Sequence, residues 1–134
     1  MTGRRLRIVT GALLTLALAA SPVSAAPAVG SQFAGLWVST DFDGSTQVLD
    51  VAAGGTPRVT YQDFYASSCD DHGSPSTHWV AAGRGWVDGD LLVIEYHKSG
   101  CGFFTIGGYA DFYTYDAGTD TLTDSVGIVW TRAT

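Results

Sequence analysis

The chain has 134 residues, with 13 acidic side chains against seven basic ones, a net charge of −6 and 46% hydrophobic residues. A chain of this length holds one domain, and its acidic balance excludes binding driven by phosphate backbones or anionic lipid surfaces, so no nucleic-acid partner is expected. Twelve of the thirteen acids are Asp, a residue that favours turns because its short side chain hydrogen-bonds its own backbone.

The N-terminal segment predicts export. Arg4, Arg5 and Arg7 form a positively charged start, and residues 8–20 form an apolar run of 13 residues. Pro22 then breaks the run, and Val23-Ser24-Ala25 offers small residues for a signal peptidase. A run of this length is too short for the ~20 residues that cross a bilayer. Residues 1–25 are therefore read as a signal peptide cleaved after Ala25, residues 26–32 as an N-terminal tail, and residues 33–134 as a single domain. Removing the leader leaves Arg58, Arg84, Lys98 and Arg132 against all thirteen acids, so four minus thirteen gives −9. No second long apolar segment follows, so no membrane anchor is expected. The expected location is extracellular, or periplasmic where the source has an outer membrane.

Past residue 26, no apolar positions recur at helical spacing. Short runs rich in Val, Thr, Tyr, Phe and Trp alternate with Gly/Asp turns, as half-buried strands require. The first strand is predicted over 33–40, closed by Asp41-Phe42-Asp43-Gly44, and the second over 46–51. After the turn at Gly54-Gly55 come strands over 58–66 and 77–87. Asp88-Gly89 is a two-residue hairpin signal of the I′ kind, leading into a strand over 90–98. Strands over 103–106 and 109–115 follow, separated by Gly107-Gly108. The last strand spans 121–132 with a bulge at Gly127. Eight strands joined by mostly short links predict antiparallel neighbours and an all-β, eight-stranded up-and-down meander barrel, which leaves no bare edges. A two-sheet β-sandwich is the alternative.

Cys69 and Cys101 are the only cysteines, and in an exported domain such a pair reads as a disulfide. It would pin the one long connection, residues 67–76, which is polar and rich in breakers. Loops on a rigid scaffold often carry function, although a neutral surface insertion reads the same way. The candidates for metal binding fail. No CxxC or HxxxH spacing accompanies Cys69, Asp70, Asp71 and His72. The calcium-like start at Asp41 has Thr46 where Gly is needed and Ala52 where a bidentate Glu is needed. No metal and no cofactor are expected. The chain has no GxSxG, HExxH or phosphate-cradling loop, so no enzyme activity is expected. Tyr109, Asp111, Tyr113 and Tyr115 share one strand face by period-2 alternation. That face either lines a lumen or covers the barrel exterior.

Phe33-Ala34-Gly35-Leu36-Trp37 opens the first strand and Trp130-Thr131-Arg132 closes the last. This resembles the calycin superfamily of lipocalins, fatty-acid-binding proteins and avidins, in which a GxW Trp packs against an Arg of the final strand. The matching residues are Gly35, Trp37 and Arg132. The chain is also similar to small exported proteins of unknown role from high-GC bacteria, on its WVSTDFDGS and YDAGTDTLTD segments. The calycin resemblance implies a barrel that binds a small apolar or amphipathic ligand in its lumen, with Trp79, Tyr96 and Tyr113 as candidate lining residues. The alternative is a filled barrel whose 67–76 loop docks onto a protein partner, as a protease inhibitor does.

Overall fold

The computed structural model describes residues 30–70, 77–102 and 107–134. The expected signal peptide, residues 26–29 of the expected tail, residues 71–76 of the expected long loop (His72 among them) and the expected strand over 103–106 lie outside the described residues. The elements in chain order are β1 (Gly35–Thr40), β2 (Thr46–Val51), β3 (Arg58–Phe64), a single helical turn α1 (Ser67–Asp70), β4 (His78–Asp88), β5 (Leu91–Cys101), β6 (Tyr109–Asp116), β7 (Thr121–Asp124) and β8 (Val129–Arg132). Each strand pairs antiparallel with the next, and β8 returns to β1, giving a closed eight-stranded up-and-down barrel. The sandwich alternative is thereby set aside. Among the described residues no helix is long and apolar enough to cross a membrane.

The count of eight is reached differently from the sequence reading. The expected last strand over 121–132 is two strands, paired from Thr121↔Thr131 to Thr123↔Val129. Gly127, at φ 91°, sits in the hairpin turn between them. Asp124 builds this turn: its Oδ1 accepts from the Val126 and Ile128 amides, and its Oδ2 accepts from Trp130 Nε1. Val126 put an apolar residue inside the turn and so hid it. The β4–β5 hairpin is also shifted by one residue. Asp88 pairs with Leu91, so the loop is Gly89-Asp90. Positive φ falls on Gly89 and not on Asp90, the sign pattern of a II′ turn rather than I′.

One end of the barrel is packed shut. Phe33, Trp37, Leu49, Val51, Leu92 and Leu122 are fully buried there, since alternate residues of each strand point inward. The Trp37 indole donates from Nε1 to the Phe33 carbonyl at 2.8 Å, which folds the 30–34 segment across the opening. The Arg132 guanidinium lies 4.0 Å from the centre of the Trp37 ring. It donates to the carbonyls of Ala34 and Gln32 at 2.7 and 2.8 Å and pairs with Asp120 at 3.0 Å. A planar five-donor cation suits this place, because it stacks and forks at once. Gly35 adopts φ 129°, and a Cβ there would stand 3.0 Å from Arg132 Nη1. No side chain fits without moving the arginine.

A bulge separates the two halves of the barrel. Ala82 pairs with Lys98 but Gly83 pairs with Tyr96, leaving His97 as the extra residue of β5. The inward positions therefore switch from Leu92, Ile94 and Tyr96 to Ser99 and Cys101, as a bulge dictates. Gly83 is wedged against this bulge: a Cβ would lie 2.1 Å from the Glu95 carbonyl oxygen. Gly83→Ala is expected to cost about 1–3 kcal/mol by forcing the two backbones apart, read as a lower midpoint in urea unfolding.

Candidate functional site

Among the described residues the opposite end is open, and parts of four connections rim it: 41–45, 65–70 with 77, 102 with 107–108, and 125–128. At the first, the Asp43 carboxylate accepts from the Ser45 amide and from the Ser67 amide across the rim, both at 2.9 Å. The nearby Ser45 hydroxyl, together with these two amide bonds, holds the Asp43 pKa well below the usual carboxylate range. The sign follows directly. A carboxylate with a lowered folded pKa stabilises above the unfolded value near 4 and loses that contribution as pH falls. The acid limb of the stability–pH profile is therefore expected to be shallower in Asp43→Asn than in the parent, measured by thermal unfolding between pH 2 and 6.

Below the rim, the lumen holds a cavity of about 310 Å³. Its aromatic wall is Tyr61, Tyr109, Tyr113 and Trp130, and its polar wall includes Gln47, Asp111 and Asp124. Other concave surfaces of the barrel, such as that on β3 to β5 beside Arg58, Arg84 and Lys98, lie on its outer face. The mouth cavity is framed by inward-facing aromatic and carboxylate groups.

The aromatic wall is packed edge to face. Tyr61 and Tyr113 lie 6.0 and 5.8 Å from Trp130, and Tyr96 stands behind them, 4.7 Å from Tyr109 and 6.4 Å from Tyr61. Gln47 donates to the Tyr61 hydroxyl at 2.9 Å. Asp111 accepts from the Ser125 hydroxyl and from the Phe112 amide. Three buried polar atoms at this end have no hydrogen-bond partner among the described residues: the Tyr96 hydroxyl, in a residue 2% exposed, Asp63 Oδ1, in a residue 5% exposed, and the Ser45 hydroxyl, in a residue 6% exposed. Buried polar atoms in folded proteins are nearly always paired, so such exceptions mark a strained or a binding position.

Burial raises the Asp63 carboxyl above its ordinary value. The charges of Asp41 and Asp43 push the same way, while the Ser45 and Tyr61 hydroxyls pull back. Burial also raises the tyrosines. Tyr109 is pushed up to about 12, with Asp111 and Asp63 adding to the rise, and Tyr61, Tyr96 and Tyr113 are raised further. A carboxylate with a raised folded pKa costs stability once pH exceeds its unfolded value. Asp63→Asn is therefore expected to stabilise the barrel by about 1 kcal/mol, read as a higher Tm at pH 7 and no gain below pH 4.

The structure brings together two of the three sequence-chosen lining residues. Tyr113 faces the cavity and Tyr96 packs directly behind its wall. Trp79 is not among the lining residues: it packs against Ala66 and the Cys69–Cys101 disulfide, whose Cα atoms are 5.5 Å apart, and its side chain acts on the Tyr109 hydroxyl at the cavity wall. The tyrosine stripe of β6 faces inward, but it divides. Tyr109, Asp111 and Tyr113 line the mouth, while Tyr115 packs edge-on against Phe33 and Trp37 at the closed end. Sequence reasoning missed Gln47, Tyr61, Asp63 and Trp130. Alternation from Val59 through Tyr61 to Asp63 on β3 was the available signal, since Val59 is a natural core residue and shares their face. Among the described residues no group of three His, Cys, Asp or Glu side chains is placed to hold a metal ion. Comparisons with protein-family models, with curated proteins and with solved structures give no match to this chain.

Proposed function

We propose that this chain is an exported, non-enzymatic binding protein that holds one small, partly apolar molecule in the mouth of a calycin-like barrel. The observation that carries the reading is the cavity itself: aromatic walls on a closed scaffold, with the buried Tyr96 hydroxyl and Asp63 Oδ1 lacking partners behind the lining residues Tyr109 and Gln47. Small-molecule sites combine apolar walls with a few fixed polar groups in this manner, and an eight-stranded barrel has room for one such ligand. Arg132 stacked on Trp37 supports the calycin comparison, and the disulfide supports export. The mechanism is passive: apolar contact gives affinity, and the polar groups orient the ligand.

The test is titration with a panel of apolar and amphipathic fluorophores, exciting tryptophan. Saturable quenching or energy transfer at one equivalent is expected, and Trp130→Phe is expected to weaken it most because Trp130 lines the cavity. Absence of any signal across the panel would overturn the reading. A second reading, docking of a protein partner by the 67–76 loop, is favoured by one observation. Phe42 and Tyr65 stand 81% and 80% exposed on the same rim, where two large rings face water without burial to support them. Under that reading, replacing both by serine abolishes capture of an exported protease and leaves fluorophore binding intact.

A further inference from the structure

The ligand's charge can be read from the cavity walls, an inference that rests on the binding function just proposed. Aromatic faces are electron-rich and attract cations, and four of them line the cavity as Tyr61, Tyr109, Tyr113 and Trp130. Asp41, Asp111 and Asp124 also line it, whereas among the described residues no Lys, Arg or His does. The described Lys and Arg side chains lie elsewhere. Arg58, Arg84 and Lys98 are exposed on the outer face, and Arg132 is engaged at the closed end.

Not every carboxylate has acceptor capacity to spare. Asp124 is taken up by the Val126 and Ile128 amides and by Trp130 Nε1. Asp111 Oδ1 accepts from Ser125 and from the Phe112 amide. Asp63 Oδ1 is a buried acceptor without a well-formed hydrogen bond; it stands behind the wall, paired across the strands with the lining residue Gln47, and the Ser45 and Tyr61 hydroxyls are the groups that act on it. It shares the inward face of β3 with Tyr61, and its charge acts on both Tyr61 and Tyr109. A neutral apolar guest would leave this oxygen to the Ser45 and Tyr61 hydroxyls and its charge uncompensated, and an anion would be repelled by the surrounding carboxylates. A group carrying N–H donors and a positive charge satisfies both the open acceptor and the ring faces.

We propose that the mouth cavity binds an organic primary ammonium ion, its charged head donating to Asp63 and resting against the tyrosine faces, and its apolar body lying along Trp130. The ligand is thus a small amine with an apolar or aromatic body. The carboxylates supply the counter-charge, and the rings exclude water and hold the methylenes.

Three probes that share one body and differ in their end group test this: phenethylamine, 2-phenylethanol and phenylacetate, at pH 7. The readout is the shift of the Trp130 indole N–H resonance during titration. The ammonium is expected to bind at least 10-fold more tightly than the alcohol, and phenylacetate is expected to bind most weakly. Asp63→Asn is expected to bring the ammonium down to the affinity of the alcohol and to leave the alcohol unchanged. Tyr109→Leu keeps apolar contact at a partly exposed position, so it serves as a second variant and is expected to weaken the ammonium several-fold more than the alcohol. Equal binding of ammonium and alcohol, or tighter binding of phenylacetate, overturns the cation assignment while the binding function stands. If none of the three shifts Trp130 and the fluorophore panel is also silent, both readings fall.

Discussion

Replacing Trp37 by alanine is expected to remove about 5 kcal/mol of stability, the largest single-residue effect argued for this barrel. Truncating a buried Trp to Ala costs about 3–5 kcal/mol through lost transfer energy and the cavity left behind. Trp37 is fully buried, and three further losses place it at the top of that range. The Phe33 carbonyl loses its indole donor, and an orphaned buried acceptor costs about 1–3 kcal/mol. The Arg132 guanidinium loses the ring beneath it, a contact worth about 0.5–2 kcal/mol. The Tyr115 ring loses its edge contact. These losses overlap, so they do not add in full. Domains of this size are stable by only about 5–15 kcal/mol, so the variant should be marginal at 25 °C. The measurement is urea unfolding followed by the remaining tryptophans. Trp37→Phe separates the parts, because it retains most of the apolar volume but lacks the donor, and it should lose roughly half as much. A loss below about 2 kcal/mol for the alanine variant would mean that the closed end is held chiefly by Arg132 and its carbonyl partners.

The barrel was legible because its strands obey the alternation rule without interruption over most of their length. Thr46–Val51 reads as a strand from sequence and is one, since Gln47, Leu49 and Val51 fill the inner face while flanking residues stay outward. Three features escaped the same rule, each for a local reason. The turn at 125–128 carries Val126, and a branched apolar residue looks like strand until Asp124 is seen capping the backbone. The β4–β5 loop moved by one residue because Gly89 suits the first position of a II′ turn as well as the second of a I′ turn. The bulge at His97 left no composition signal; it is fixed by how β4 and β5 meet.

The site was less legible than the fold. Tyr96 and Tyr113 are aromatic residues on alternating strands, so either parity makes them candidates. Which parity faces inward depends on closure, and the sequence left that open. Tyr61 and Asp63 became neighbours of Tyr109 only through register, because β3 and β6 are three strands apart in the barrel. Trp79 stands one step back from the cavity: the disulfide holds the end of β5 against α1, and the indole packs on that cluster while acting on the Tyr109 hydroxyl at the cavity wall. The result is a division of labour along the barrel axis. Apolar residues and Arg132 close one end tightly enough to hold the shape, and the other end can then leave polar atoms unpaired within a rigid frame.

That frame has one covalent fastening at its open end, and removing it should have the second largest effect. The double variant Cys69→Ser, Cys101→Ser is expected to lose about 3–4 kcal/mol, the chain-entropy value for cross-linking residues 32 apart in sequence. Both cysteines are buried with Ala66 beneath Trp79, so two hydroxyls placed there without partners add to the cost. Weaker ties among the described residues also act at this corner. Ala66 donates to the Thr77 carbonyl at 2.8 Å, Ser67 donates to Asp43, and Gly102 donates to the His78 carbonyl at 3.1 Å. Trp79 reports on the break directly, because its emission should change when the sulfurs beneath it are replaced or reduced. Urea midpoints with and without reductant measure the effect, and the parent under reductant should fall to the value of the double variant. If the parent loses less than 1 kcal/mol on complete reduction, the hydrogen bonds of the rim suffice to hold α1. The mouth would then keep its shape in a reducing compartment, and the disulfide would cease to support export.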